Sequence, residues 1–199
     1  MPRWEAGAEG RLVQAAYELY FERGFDDVTV AEIAARAGLT KRTFFRYFAD
    51  KREVLFSGSA AFEERVVAAV ISAPDDVAPI DAVVAALVVG GTAITELGEG
   101  ARQRQHLINT SSDLQEREMI KMAGLTNAIS EALVARGTPD ATVRLTAQAG
   151  VAVFTTAFER WAEREGSVEF AALVHDALNE LRSAIHTNDA DGRADSSDR

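Results

Sequence analysis

Apolar residues recur along this chain at intervals of three and four, the spacing of one face of an α-helix, and no stretch alternates convincingly as a strand. From about residue 10 to 23, Leu12, Ala16, Leu19 and Tyr20 mark a first helix, which Gly24 ends. Residues 50 to about 72 carry Leu55, Phe62, Val66, Ala69 and Val70 and read as one long helix. Residues 80 to 97 are apolar nearly all round (Val83, Val84, Leu87, Val88, Val89, Ile94), which predicts a buried helix. Inside it Gly90 and Gly91 each cost about 1 kcal/mol relative to Ala. That cost fits either a kink beside a cavity or tight helix packing. Further helices are predicted over 101–112, 113–136, 140–165 and 168–185, separated by turns at Gly137-Thr138-Pro139 and Gly166-Ser167. In the helix over 140–165, Ala147, Val151, Phe154, Phe158 and Trp161 step by four, three, four and three. With two short helices between residues 29 and 48, the sum is an all-α chain of about nine helices.

Those two short helices carry the densest local signal. Thr29 and Glu32 have the spacing of a capping box, in which a hydroxyl and a carboxylate satisfy the free N–H groups of a helix start. Ile33, Ala34 and Ala37 form an apolar face, and Gly38 stands where the chain must turn sharply. Thr40 is placed to cap a second helix, Lys41-Arg42-Thr43-Phe44-Phe45-Arg46-Tyr47-Phe48. Asp50 and Glu53 predict a further capping box. Between Arg36 and Arg52 six cations face one acid, whereas the whole chain has a formal charge of -10. A local cationic surface on an acidic protein points to a polyanion, and helix–turn–helix is an arrangement that enters the DNA major groove.

At these residues a resemblance becomes specific. The run from Gly38 to Phe48, followed by Asp50-Lys51-Arg52-Glu53, resembles the DNA-binding signature of the tetracycline-repressor (TetR) family. Ala15-Ala16, Leu19, Gly24-Phe25 and Thr29-Val30-Ala31-Glu32-Ile33-Ala34 continue it, so that it covers roughly residues 10 to 56. The resemblance implies a three-helix DNA-binding domain over 1–56 and a larger helical ligand-binding and dimerisation domain over 57–186. Residues 187–199, rich in Asp, Ser and Gly, read as a disordered acidic tail. It also implies a homodimer through the helices 140–165 and 168–185. Two recognition helices about 34 Å apart would then read the half-sites of a palindromic double-stranded operator. Two positions depart from the family pattern. Phe45 stands where Tyr is common and cannot make that hydroxyl's phosphate contact, leaving sugar or a thymine methyl as its partner. Arg42 stands where a small residue is common.

Composition excludes several classes. Apolar residues make up 47% of the chain, enough for a sizeable core, and no run approaches a membrane span. No basic-then-apolar leader is read at the N-terminus. There is no cysteine, hence no disulfide or thiolate chemistry, in keeping with a cytoplasmic protein. His106, His175 and His186 lie far apart and form no metal-ligand pair, and no nucleophile elbow or dinucleotide fingerprint occurs. No metal, cofactor or catalytic site is therefore expected.

The expected DNA contacts follow from position. Thr29, Thr40 and Lys51 lie near helix starts and Tyr47 near the backbone, where phosphates are held. Lys41, Arg42 and Thr43 open the recognition helix as base-edge candidates, with Arg42 suited to guanine. Phe45 and Arg46 complete the set, Arg46 as phosphate contact or exposed charge, while Phe44 and Phe48 read as core. The resemblance further implies a small-molecule pocket. Phe62, His106, Asn109, Met119, Met122, Phe154, Phe158 and Trp161 are its candidate lining, suited to an apolar or amphipathic effector, with core packing as the alternative for each. Arg102 and Arg104 are candidates for an anionic head group. The resulting expectation is a ligand-released repressor, in which the helix over 50–72 links effector to reading head. The alternative from another class is a helical small-molecule carrier or enzyme without DNA function.

Overall fold

The computed structural model describes residues 7–164 and 168–186. The expected acidic tail and the Gly166-Ser167 break lie outside them. Among the described residues there are ten helices and no strand. They are α1 (Ala8–Arg23), α2 (Val30–Arg36), α3 (Lys41–Tyr47), α4 (Lys51–Leu55) and α5 (Ser59–Ser72), then α6 (Pro79–Thr95), α7 (Glu99–Thr110), α8 (Ser112–Ala135), α9 (Asp140–Glu163) and α10 (Phe170–His186). No single helix among them is long and apolar enough to cross a membrane.

The tenth helix arises because the stretch expected as one helix from 50 to 72 is two. Phe56 closes α4, its N–H directed at the carbonyls of Glu53 and Val54, and its ring is buried. Ser57 and Gly58, small and exposed, carry the chain through a turn before Ser59 restarts the helix. Two residues of low helix propensity outweigh the apolar stripe that suggested continuity.

The chain divides into two compact units, one comprising residues up to 64 with 98–125, the other 65–97 with the residues from 126 on. In the first, Leu12, Ala16, Leu19 and Tyr20 of α1 join Ile33 of α2, Phe44 of α3 and Val54 and Leu55 of α4 in one core. Leu107 and Ile108 of α7 and Leu114 of α8 belong to the same core. The unit bearing the helix-turn-helix thus also includes α7 and the first turns of α8.

In the second unit α9 packs on both α6 and α10. The rings of Phe154, Phe158, Trp161 and Phe170 form a continuous aromatic cluster. The two readings of Gly91 resolve in favour of tight packing. A Cβ there would lie 2.2 Å from the Phe170 ring and 2.9 Å from that of Phe154. Gly150 on α9 is equally pressed: a Cβ would lie 2.4 Å from Val83 Cγ1 on α6. Arg136 ties the α5–α6 loop down by donating to the carbonyls of Ala73, Pro74 and Val77.

Candidate nucleic-acid interface

The turn between α2 and α3 follows from Gly38. Its φ is +67°, a conformation that costs glycine least. The Gly38 N–H donates to the Ala35 carbonyl (3.0 Å) and the Leu39 N–H to that of Ala34 (2.8 Å). This paired closure satisfies carbonyls that the end of α2 leaves free. Leu39 then packs, half-buried, on the core. At the other end of α2 the capping box is complete. Thr29 Oγ1 accepts from the Glu32 N–H, and Glu32 accepts from the Thr29 N–H (2.9 Å). The Glu32 carboxyl is lowered to about 2, first by the Thr29 hydroxyl, then by Arg23.

Thr40 caps α3, accepting from the Thr43 N–H (3.2 Å), while the two hydroxyls lie 3.0 Å apart. The register of α3 then sorts its aromatics. Phe44 is fully buried and Phe48 nearly so, their rings packed at 5.5 Å. Phe45 points outward and is 56% exposed. Its ring stands edge-on to Phe44, with centroids 5.5 Å apart. Lys41, Arg42 and Arg46 are exposed on the same short helix. Arg46 donates to the Tyr47 hydroxyl (3.0 Å), and its guanidinium lies 4.9 Å from that ring's centre.

The six cations counted from sequence are not equivalent. Arg36 forks onto Glu22 (3.0 and 2.9 Å) and reaches Glu18, bracing α2 on α1. Arg52 pairs with Asp50 (2.8 Å). Lys51 turns inward: its ammonium donates to the carbonyls of Phe25 (2.8 Å), Asp26 (3.2 Å) and Val28 (3.0 Å) and sits 4.2 Å over the Phe25 ring. The Tyr20 hydroxyl, its pKa pushed up by burial and by the Asp50 carboxylate, donates to the Lys51 carbonyl (2.7 Å). Lys41, Arg42 and Arg46 thus remain directed outward, and the cationic face narrows to α3.

The short helix α4 is held at several points within its unit. Asp50 caps it, accepting from the N–H groups of Arg52 (2.8 Å) and Glu53 (3.2 Å). The second half of the expected capping box is absent. Glu53 does not reach back; its carboxylate accepts from Arg117 and from Lys121 (3.1 Å) on α8. Burial pushes the Glu53 carboxyl up, but those two cations bring it below its ordinary value. At the far end Arg104 of α7 donates to the Leu55 carbonyl (2.8 Å), with its guanidinium 4.9 Å from the Phe56 ring centre. A cation at a helix C-terminus also complements the helix dipole. Arg104 is therefore occupied with α4 rather than presented to an anionic ligand. The sequence singles out Arg104 for a different role and gives no sign of Arg117 and Lys121, because the partners of all three lie roughly 50 to 70 positions away.

The candidate pocket residues fall in both units. In the first, Phe62 is buried and Met122 half-buried, whereas His106, Asn109 and Met119 are exposed, Met119 by 65%. Asn109 Oδ1 accepts from Gln105 (3.1 Å). In the second, Phe154, Phe158 and Trp161 are buried in the aromatic cluster. No group of His, Asp or Glu among the described residues could hold a metal ion.

Against known proteins, the sequence profile described as bacterial regulatory proteins of the tetR family matches residues 12–57. The profile of the MftR C-terminal domain matches residues 77–186, more than half of the chain. The chain is 28% identical over 157 residues to the putative mycofactocin biosynthesis transcriptional regulator MftR of Mycobacterium tuberculosis, covering 77% of this chain and 79% of that protein. It is 36% identical over 72 residues to the transcriptional regulator TcmR of Streptomyces glaucescens, 36% of this chain and 32% of that one. In structure it resembles SmeT in its triclosan complex, with a TM-score of 0.65 at 18% identity over 90% and 91% of the two chains. The Bacillus subtilis regulator FadR, solved with stearoyl-CoA, gives 0.62 at 20% identity over 88% and 98%. At such identities the likeness is one of fold.

Proposed function

The chain belongs to the tetR family of bacterial regulatory proteins, a dimeric DNA-binding transcriptional regulator and not an enzyme, and from that premise we propose that it is a cytoplasmic repressor released by a small apolar or amphipathic effector. The observation that carries this reading is the outer face of α3. Lys41, Arg42 and Phe45 are exposed on a helix whose other face, Phe44, is anchored in the core. Lys41, Arg42 and Thr43 approach base edges, with Arg42 on a guanine, and Thr29, Thr40, Arg46 and Tyr47 approach phosphate and sugar. The inward ammonium of Lys51 supports a bracing role for that residue, its phosphate contact being confined to the backbone N–H.

Release works as a population shift. The effector is held by the larger domain, and of its candidate lining Phe62, His106, Asn109, Met119 and Met122 belong to the first compact unit. Its occupancy is read by α4 through Arg104 of α7 and Arg117 and Lys121 of α8, the residues that hold α4. A shift of α4 carries α3 with it, because only residues 48–50 separate the two helices. The match to the MftR C-terminal domain supports a narrower version, in which the regulated genes include those of mycofactocin biosynthesis.

The test is fluorescence anisotropy with the purified protein and DNA from upstream of its own gene and of mycofactocin biosynthesis genes. Saturable binding that weakens steeply with salt, and falls on adding an amphipathic ligand, supports the reading. A shallow salt dependence would favour a helical carrier without DNA function.

A further inference from the structure

Phe45 presents a problem that the DNA-binding reading does not by itself solve. Among residues 7–64 it is the most exposed large apolar side chain, at 56%, ahead of Phe21 and Tyr47 at 39% each. It lies among cations: Lys41 precedes it by four positions, Arg42 by three, and Arg46 follows it. On a helix Lys41 and Arg42 share the face of Phe45, and Arg46, four positions after Arg42, borders it. The ring is also mounted firmly. It stands edge-on to Phe44, which is fully buried and packed in turn on Phe48. A phenyl ring has no donor or acceptor, so neither phosphate nor a polar base edge satisfies it. The apolar group that the major groove offers is the C5-methyl of thymine.

We propose that Phe45 is a specificity-determining residue that selects a thymine in each half-site by packing on its methyl group, beside the base read by Arg42. The inference rests on the DNA-binding reading above and deepens it. Phe45 and Arg42 then divide the recognition by chemistry. Arg42 reads hydrogen-bond acceptors, and Phe45 reads a methyl that carries no hydrogen bond.

The experiment starts from an operator selected on the full-length protein out of random duplex DNA. Each thymine is then replaced, symmetrically in both half-sites, by deoxyuridine, which differs only in lacking the methyl. One thymine position is expected to lose about fourfold in affinity per half-site, roughly fifteenfold for both, the value of one buried methyl-sized group. Phe45→Ala should bind more weakly and show no further loss at that position, whereas Phe45→Tyr, which keeps the ring, should retain the loss. An operator in which no thymine is sensitive to deoxyuridine overturns the proposal while leaving DNA binding intact. So does an unchanged deoxyuridine penalty in Phe45→Ala. Failure to select any operator defeats the DNA-binding reading and this inference with it.

Discussion

The two compact units of this chain are held together by different means. In the first, helices of seven, seven and five residues, α2, α3 and α4, are too short to be stable alone. Side-chain to backbone bonds fix them: Thr29, Thr40 and Asp50 at helix starts, Lys51 on three loop carbonyls, Arg104 on the last carbonyl of α4. In the second, the helices α6, α9 and α10 run 17, 24 and 17 residues and interlock through apolar surface, with Gly91 and Gly150 admitting close approach. Polar bonds set direction and apolar packing sets proximity. The unit that must aim a recognition helix relies on the first, and the unit built around α9 relies on the second.

The sharpest break in this comparison lies inside α3. Phe44→Ala should cost about 3–5 kcal/mol of stability, as a large buried side chain does, and should abolish DNA binding by unfolding its unit. Phe45→Ala, one residue on, should leave stability within about 0.5 kcal/mol and reduce DNA affinity. Thermal melts and anisotropy on the pair separate the two roles. If Phe45→Ala were equally destabilising, the outward face of α3 would have been misassigned.

Lys51→Met keeps the aliphatic stem and removes the ammonium. The loss should be about 1.5–3 kcal/mol, as for hydrogen bonds to a charged group, with an unchanged salt dependence of DNA binding. A log–log salt slope shallower by about 1 would instead give the ammonium to a phosphate. In the second unit, Gly91→Ala forces a Cβ against Phe170 and should cost about 1–3 kcal/mol by overpacking, read as a lowered melting temperature.

The same contrast explains what could be read from the sequence. Caps, turns and the aromatic order of α3 are local: Thr29 with Glu32, Gly38 with Ala35, Phe44 beside Phe45 all lie within a few residues. Helical periodicity likewise placed the long helices to within about two residues, the ordinary uncertainty of helix ends. What was not legible depends on distant partners. Lys51 looked like a phosphate ligand because its loop carbonyls stand 23 to 26 positions before it. Glu53 looked like half of a capping box because Arg117 and Lys121 stand 64 and 68 positions away. The break at Ser57-Gly58 was masked by an apolar stripe that persists on both sides of it.

Smaller effects sharpen the account further. Arg42→Ala should leave stability unchanged and relax base preference at one operator position by about 1–3 kcal/mol, seen by repeating operator selection on the variant. The Glu32 capping box gives a pH signature. Its carboxyl titrates at about 2 in the folded chain against an ordinary 4.5. A depressed carboxylate stabilises the fold fully above its unfolded value and loses that contribution as pH falls through its folded one. The melting-temperature gap between the native chain and Glu32→Gln should therefore hold steady above about pH 4.5 and close towards pH 2. A gap independent of pH would mean that Glu32 contributes through packing alone.

The most direct test of the central claim is selection of a random duplex DNA library on the purified full-length protein, followed by sequencing. The account predicts an inverted repeat, its two half-sites about one helical turn or a multiple apart, each with a guanine for Arg42 and a thymine for Phe45. No enriched sequence at low salt would contradict it, and the exposed cationic and aromatic face of α3 would then need another partner.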